Sequence, residues 1–186
     1  MSVYISLLRG INVSGQKKIQ MTELKSLYES LGFENITTYI QSGNVVFSSN
    51  ENDELKLAKL ISDKIREDFS YEVNVIIRSK EYWKDLIAKN PFLKKDNTDI
   101  KKMHVTILSQ MPVKIEAEIF DQAKSDTEEY AIKEREIYLY FPDGYGRTKL
   151  SNNYIENKLK VAATTRNWNT VAKLMDIADT LKFGIL

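Results

Sequence analysis

The chain contains no cysteine and a single histidine, His104. The lack of cysteine excludes disulfide bonds, thiolate nucleophiles and metal sites built on cysteine. One imidazole cannot form a histidine-rich metal site, and it would have to serve alone as the base of any Ser-His-Asp arrangement. We therefore expect no cofactor and no metal, and the sequence indicates no catalytic residue that would make the protein an enzyme.

Long apolar runs and a strong net charge are also missing. No stretch approaches the roughly 20 apolar residues that cross a bilayer, and Met1 to Arg9 lacks the basic region and cleavage site of a signal peptide. These features predict a cytoplasmic protein without membrane contact. The net charge at pH 7 is +1, so an anionic partner would have to be bound by local basic patches.

What the chain does contain is a recurring order of short apolar strands and amphipathic helices. The first half predicts helices that begin near Thr22 and Asp53, and strands at 3–8, 33–40, 45–48 and 73–77. This β-α-β-β-α-β order is typical of a ferredoxin-like unit with a four-stranded antiparallel sheet. The second half predicts a less regular copy, with helices at 113–124 and 151–160 and strands at 103–108, 130–133, 137–141 and 161–163.

A terminal helix from Trp168 to about Leu181, capped by Asn167, completes the pattern. The predicted fold class is therefore α+β, with two tandem ferredoxin-like units, antiparallel sheets and an additional C-terminal helix. The predicted domains are residues 1–80 and residues 81–186.

Two basic loops that contain glycine are the first candidates for a binding site. Glycines let the backbone approach a ligand closely, and a helix that follows such a loop adds the positive end of its dipole. Neither loop matches a P-loop or the G-x-G-x-x-G pattern, which favours a loose anion site over a nucleoside triphosphate site. The alternative is that the glycines only shape turns. The side chains that these loops offer are Arg9, Asn12, Lys17, Lys18, Arg147 and Lys149.

Aromatic residues on the predicted strands form a second candidate surface. Alternate residues of an open sheet face away from its helices, and we assign to this face Tyr4, Ser6, His104, Thr106, Tyr138 and Tyr140. Exposed rings in such positions stack on the bases of single-stranded nucleic acid. The alternative is that the tyrosines are buried as part of a core.

The segment from Thr164 to Thr170 places Arg166 and Trp168 near the predicted start of the terminal helix. A guanidinium and an indole both stack on planar ligands, so these two side chains are further candidates for binding. Equally, Trp168 can anchor the helix in the core while Asn167 caps it.

Five segments together resemble a bacterial family known as domain of unknown function 1697. They are Leu8–Val13, Tyr39–Phe47, Asn90–Phe92, Pro142–Arg147 and Thr164–Val171. The family usually has two glycines where this chain has Ser14 and Gly15. The resemblance implies a tandem ferredoxin-like architecture and an unassigned function, with nucleic-acid binding as a suggestion, and it implies no catalytic residues.

Three hypotheses for the function follow. The first is that the protein binds single-stranded nucleic acid, or another anionic ligand, through the two basic loops and the tyrosines at 138 and 140. The second is a small-molecule enzyme or sensor that binds a phosphate- or carboxylate-bearing ligand between the two units, because clefts between domains favour such sites. The third is a protein-interaction module that uses an exposed apolar patch or a sheet edge.

Overall fold

The computed structural model describes residues 1–13 and 15–181. These residues form an α+β protein with two four-stranded antiparallel sheets and six α-helices. The chain divides into two compact units. The first unit consists of Met1–Asp85 together with the chain from Lys173, and the second unit consists of Leu86–Ala172. In the described part of the chain, no helix is both long and apolar enough to cross a membrane.

The first sheet has the strand order β2-β3-β1-β4, and every pairing in it is antiparallel. Its strands are β1 (Ser2–Leu8), β2 (Glu34–Tyr39), β3 (Asn44–Ser49) and β4 (Val75–Ser79). The helices of this half are α1 (Met21–Ser30), α2 (Glu54–Phe69) and α3 (Lys80–Ala88). The side chain of Asp53 accepts from the backbone amides of Leu55 and Lys56, which confirms the predicted start of α2.

The start of α1 differs from the prediction, because the cap is Gln20 and not Thr22. Gln20 and Glu23 form a capping box, in which each side chain accepts from the other residue's backbone N–H. Serine or threonine usually fills the cap position of this arrangement, so the sequence pattern pointed to the threonine two residues further along the chain.

Strand β1 turns the opposite face to the helices from the one that we predicted. Tyr4 and Leu8 pack with Leu24, Tyr28 and Ile61 in the core beneath α1 and α2. The hydroxyl of Tyr28 donates to Ser6 Oγ at 2.7 Å, which places that serine on the same face. Val3, Ile5 and Leu7, on the opposite face of β1, are buried as well. Because both faces of β1 are apolar and buried, alternation alone did not identify the face that meets the helices.

The second sheet has the order β6-β7-β5-β8 and is again antiparallel throughout. Its strands are β5 (Met103–Leu108), β6 (Glu129–Lys133), β7 (Glu136–Tyr140) and β8 (Ala163–Asn167), and its helices are α4 (Ala117–Asp121) and α5 (Asn152–Leu159). Helix α4 is much shorter than predicted, because the chain before Glu116 is not helical and contributes an exposed Val113.

Two further corrections concern the end of the second sheet. The fourth strand covers Ala163–Asn167 and not 161–163, because Thr164 to Asn167 pair with β5 and do not form a turn. Strand β5 also turns a different face to the helices than predicted, whereas β7 turns the predicted face to them. His104 contacts Phe141, which belongs to the core around α4 and α5, whereas Tyr138 pairs with Val105 on the other face.

The last helix is α6 (Trp168–Thr180). The side chain of Asn167 accepts from the backbone N–H of Thr170 at 2.8 Å, so the predicted cap is confirmed. Near the end of the helix, Lys80 donates to the carbonyl of Ala178 at 3.1 Å and lies 2.8 Å from a carboxylate oxygen of Asp179. These contacts connect the end of α6 to the start of α3 within the first unit.

Candidate functional site

The loop between β1 and α1 is fixed at both ends by buried isoleucines. Ile11 is 1% exposed and Ile19 is 2% exposed, and both belong to the core of the first unit. The loop also begins on firm backbone contacts, since Leu8 N–H donates to the carbonyl of Gly43 at 2.8 Å and Arg9 N–H to that of Asn74 at 2.9 Å. The two ends of the loop are therefore held in place, and the end of β1 is bonded to the β2–β3 turn.

Asn12 clamps this loop with its side-chain amide. Its Nδ2 donates to the carbonyls of Ile19 and Gln41, and its Oδ1 accepts from the backbone N–H of Ile19, each at 2.9 Å. The amide therefore joins the start of the loop, its end and the neighbouring hairpin. All of these bonds are internal, so Asn12 builds the loop, and its predicted contact with a ligand stays a prediction.

At four of its described positions the loop backbone lies in the left-handed region. Gly10 and Gly15 have φ of 74° and 77°, and two residues with side chains, Asn12 and Lys17, have φ of 54° and 45°. Left-handed residues other than glycine are strained and often lie at functional sites. Lys17 also donates through Nζ to the carbonyl of Glu72. Its ammonium group is therefore already engaged within the first unit. Ser14 lies outside the described residues.

A pocket of about 620 Å³ lies between this loop, the hairpin and the start of α1. We call it the loop pocket. Its lining brings together two of the predicted residues, Asn12 and Lys18, with residues that the sequence did not indicate. The described residues that line it are Asn12, Gly15, Lys18, Ile19, Gln20, Met21, Thr22, Glu23 and Gln41.

The charges of the loop pocket are mixed. Lys18 is exposed, and the first turn of α1 contributes the positive end of the helix dipole. Glu23 opposes these positive charges, but one of its oxygens already accepts from Gln20 N–H at 3.1 Å. The pocket therefore offers a cation, a partly satisfied carboxylate and the side-chain amides of Gln20 and Gln41, which suit a polar ligand that has both acceptor and donor groups.

The second basic loop includes a single 3-10 turn at Tyr145–Arg147, preceded by Gly144 with φ of 91°. Arg147 and Lys149 are exposed, as a binding role requires. They line a small pocket of about 160 Å³ together with Lys124, which the sequence analysis missed. The same pocket contains Glu128, a 5% exposed carboxylate that accepts from Ser125 N–H at 3.1 Å.

Three of the predicted binding residues are buried. Tyr138 is fully buried, its hydroxyl donates to the carbonyl of Leu86 at 2.8 Å, and burial raises its pKa. Trp168 packs beside it, with ring centres 6.4 Å apart. Arg166 is 9% exposed and donates to Thr164 Oγ1 at 2.7 Å. These side chains stabilise the second unit and present no surface to a ligand, so the predicted stacking role of Tyr138 is wrong.

Tyr140 and Arg9 are intermediate cases. Tyr140 is half-buried, and its ring centre lies 6.1 Å from that of Phe92, which leaves only part of the ring for another partner. Arg9 is half-buried in the first unit. The hypothesis that a small ligand binds between the two units stays a prediction.

His104 lies in an aromatic cluster of the second unit. Its ring stacks on Tyr145 with centres 5.2 Å apart and lies 5.4 Å from the ring of Phe141. Burial lowers the pKa of His104 from its ordinary value of 6.5, although a contact between Nδ1 and the carbonyl of Lys102 acts in the opposite direction. The histidine thus contributes to the packing of the second basic loop in its neutral form.

Acidification is expected to destabilise the protein through this residue. Below pH 6.5 the unfolded chain takes up a proton on His104 before the folded chain does, so stability decreases as the pH falls toward the lowered pKa of the folded state. Urea unfolding between pH 8 and pH 5 should show a steeper loss for the natural chain than for His104→Gln. Equal slopes for the two proteins would contradict this assignment.

Two further expectations concern metals and interaction surfaces. Among residues 1–13 and 15–181 no cluster of three or more histidine, aspartate or glutamate side chains is arranged to hold a metal.

Exposed apolar side chains are present on both halves of the chain, and the most exposed are Leu55, Met111 and Val113. The protein-interaction module therefore stays a prediction.

Comparison with known proteins identifies relatives of this fold. The chain matches the family model described as protein of unknown function (DUF1697) over residues 1–138. It is also similar to the solved structure of conserved bacterial protein SP0830 from Streptococcus pneumoniae, at 21% identity over 95% of this chain and 98% of that chain, with a TM-score of 0.70. No curated protein matches the chain. The resemblance predicted from the five sequence segments is confirmed, and the chain belongs to the DUF1697 family.

Proposed function

We propose that the protein binds a small phosphate- or carboxylate-bearing molecule in the loop pocket of the first unit. The observation that carries this proposal is the pocket itself, which brings Lys18 to the start of α1 beside a loop held by Asn12. Its volume of about 620 Å³ is in the range of small-molecule sites. The proposal concerns binding, and it includes no chemical step.

The shape of the loop supports this role. Holding Asn12 and Lys17 in left-handed conformations costs free energy, and such strain persists where the surrounding structure fixes it. Here it is fixed by the Asn12 amide and by the contact of Lys17 with Glu72, so that the neighbouring Lys18 faces the pocket. The contacts of Asn12 and Lys17 therefore lower the conformational entropy that the chain loses when Lys18 binds an anion.

The carboxylate of Glu23 narrows the class of ligand. A bare dianion would be repelled by it, whereas a molecule that also carries hydroxyl or amine groups can donate to its free oxygen. Gln20 and Gln41 extend the same mixed character. We therefore favour a hydroxylated phosphate or an amino-carboxylate over inorganic phosphate.

Removal of the cation provides the direct test. Lys18→Gln is expected to weaken the binding of a hydroxylated phosphate such as glycerol 3-phosphate by roughly tenfold, because it removes one charge-assisted hydrogen bond. Isothermal titration calorimetry measures this difference. Lys25→Gln is the matched control, since Lys25 lies on the same helix outside the pocket and only approaches Glu29 at 4.0 Å. Equal affinities for both variants would contradict the proposal.

Single-stranded nucleic acid is the second candidate ligand, and exposed cations favour it. Lys18, Arg147 and Lys149 are accessible, whereas Tyr138 is not. Binding would therefore rest on phosphate contacts and would be independent of base sequence. A filter-binding titration at low salt distinguishes the two candidates, since Arg147→Ala should weaken an oligonucleotide equally for all sequences and leave the small ligand unaffected.

We also infer that each unit is ferredoxin-like and that the division between Asp85 and Leu86 separates two tandem copies. The strand order β2-β3-β1-β4 is the order that a split β-α-β unit produces, and β6-β7-β5-β8 repeats it. We also propose a cytoplasmic location, because a chain without cysteine forms no disulfide bonds and needs no oxidising compartment.

A further inference from the structure

The small pocket beside the second basic loop is a separate candidate site in the second unit. Its volume of about 160 Å³ corresponds to roughly five water molecules, so it suits a compact ligand. We call it the Glu128 pocket. The described residues that line it are Gln122, Ala123, Lys124, Ser125, Glu128, Arg147 and Lys149. None of them also lines the loop pocket.

Buried residues anchor the backbone on both sides of this pocket. On one side, Phe120 is fully buried, and its carbonyl accepts from the backbone N–H of Lys124 at 2.9 Å. On the other side, Tyr145 and Leu150 pack on the core of the second unit, and the arginine and lysine of the pocket lie between them in the chain. A ligand would therefore meet a backbone that is already ordered.

Three cations line the pocket, and none of them forms an ion pair with residues 1–13 or 15–181. They are Lys124, Arg147 and Lys149. Lys124 is half-buried, whereas the other two are exposed. Cations gathered around one small cavity attract an anion, although by themselves they do not distinguish one anion from another.

The distinguishing group is the carboxylate of Glu128, whose residue is 5% exposed. Its Oε2 accepts from the backbone N–H of Ser125 at 3.1 Å and closes the turn that precedes β6. Its Oε1 accepts no hydrogen bond from residues 1–13 or 15–181, and it is not sealed from water. A ligand in the pocket can therefore donate a hydrogen bond to Oε1.

Three cations beside one free acceptor favour an anion that still carries a proton. Inorganic phosphate keeps at least one proton throughout the neutral range, so one of its oxygens can donate to Glu128 while the others accept from the cations. Sulfate and the phosphodiesters of nucleic acid carry no proton there, and a phosphomonoester loses its last one at about pH 6. Each of these would set an unprotonated oxygen against the carboxylate.

We propose that the Glu128 pocket binds inorganic phosphate. Arg147, Lys149 and Lys124 contact the ion as cations, and Glu128 accepts a hydrogen bond from its protonated oxygen. The pocket thereby excludes sulfate and the dianions of phosphate esters. This inference depends on neither of the ligands considered for the function, because the loop pocket contributes no residue to it.

The first experiment follows the full chain by ¹⁵N NMR at pH 8, with inorganic phosphate as the probe. Saturable shifts are expected for backbone amides of residues 122–128 and 145–149. Sulfate should bind there at least roughly tenfold more weakly, because it offers no donor to Glu128. Glycerol 3-phosphate should leave the same amides unshifted at this pH. The proposal is wrong if phosphate causes no saturable shift there, or if sulfate or the ester binds there as tightly as phosphate.

The cations are tested by Arg147→Gln/Lys149→Gln. This double variant should weaken phosphate binding at least roughly tenfold, measured by calorimetry, because it removes two charge-assisted contacts. Lys133→Gln/Lys158→Gln is the matched control, since both lysines are exposed in the second unit and neither lines the pocket. Equal losses in the two double variants would reduce the effect to net charge and overturn the assignment.

Glu128→Gln tests the selectivity itself. The variant keeps an oxygen that can accept from Ser125 N–H and replaces the free oxygen by an NH₂ group, which donates to sulfate. The preference for phosphate over sulfate should therefore fall at least roughly tenfold. A role of Glu128 in the turn alone would leave this ratio unchanged, because both anions would be affected alike. If the variant does not fold, the phosphate-to-sulfate ratio of the natural chain decides the question.

The two proposed sites fail separately. Lys18→Gln should leave phosphate binding at residues 122–128 unchanged, and Arg147→Gln/Lys149→Gln should leave the binding of glycerol 3-phosphate at the loop pocket unchanged. Phosphate shifts confined to Gly15, Lys18 and the first turn of α1 would assign the ion to the loop pocket and overturn the inference for Glu128.

Discussion

Replacing Gly43 by alanine is expected to destabilise the first unit by about 2–5 kcal/mol, as the sum of backbone strain and overpacking. Gly43 has φ of +74°, a conformation that disfavours any side chain. A Cβ atom at this position would lie 2.7 Å from Cβ of Leu8 and 2.9 Å from Cδ1 of Ile11. Both neighbours are buried in the core, so neither can move away at low cost.

Gly10→Ala is the matched control for this substitution. Gly10 has the same φ of +74°, but a Cβ atom there would meet nothing within 4 Å. We expect it to cost only about 1–2 kcal/mol, which is the backbone strain alone. The difference between the two free energies of unfolding, measured with urea, isolates the steric contribution. Equal losses would mean that the close approach of Gly43 to Leu8 and Ile11 is relieved by a small movement.

Gly43 matters to the loop pocket as well as to stability. Its carbonyl accepts from Leu8 N–H, so the β2–β3 turn lies directly against the end of β1. The same turn carries Gln41, which lines the pocket and accepts from Asn12 Nδ2 through its backbone carbonyl. A glycine at the turn is therefore what allows the hairpin to approach the loop closely enough to form a pocket.

Much of the fold could be predicted because local signals agreed with the final structure. Asp53 indicated the start of α2, and Asn167 indicated the start of α6. In each case the side chain at the cap position determines where the helix begins. The order of strands and helices along the chain predicted the two four-stranded antiparallel sheets.

The sheet faces could not be predicted in the same way. Strand β1 buries Val3, Ile5 and Leu7 on one side and Tyr4 and Leu8 on the other. Its sequence therefore does not show which side faces the helices. Tyr138 illustrates the consequence for function. A tyrosine on a strand suits both a stacking platform and a core with one internal hydrogen bond, and only the position of Leu86 distinguishes the two.

The sequence indicated the β1–α1 loop as a candidate site, but it did not indicate the contacts that shape the pocket beside this loop. Glycines and lysines marked the β1–α1 loop, yet the groups that shape its pocket act through contacts across the chain. Gln41 reaches the pocket from the hairpin, and the Asn12 amide bonds to residues 7 and 29 positions away. Such contacts leave no periodic signal, because they depend on how the hairpin lies against the loop.

Asn12→Ala is expected to have the second-largest effect. It removes the three side-chain hydrogen bonds to Ile19 and Gln41, and it replaces asparagine, which tolerates φ of 54°, by a residue that tolerates it less well. We expect a loss of about 2–3 kcal/mol, since each net hydrogen bond contributes about 1 kcal/mol and part of the site is solvated. Urea unfolding measures this loss.

Asn35→Ala is the matched control, because Asn35 has nearly the same φ of 53° but its side chain makes one long bond, at 3.3 Å to Ser48 Oγ. Its loss should stay near 1 kcal/mol. Asn12→Gly separates the two contributions further, since it relieves the backbone strain and still removes the amide. If the amide clamp is what forms the loop pocket, both Asn12 variants should lose the small ligand at least as completely as Lys18→Gln does. Retention of binding in Asn12→Gly would show that the buried ends at Ile11 and Ile19 hold the loop without the amide.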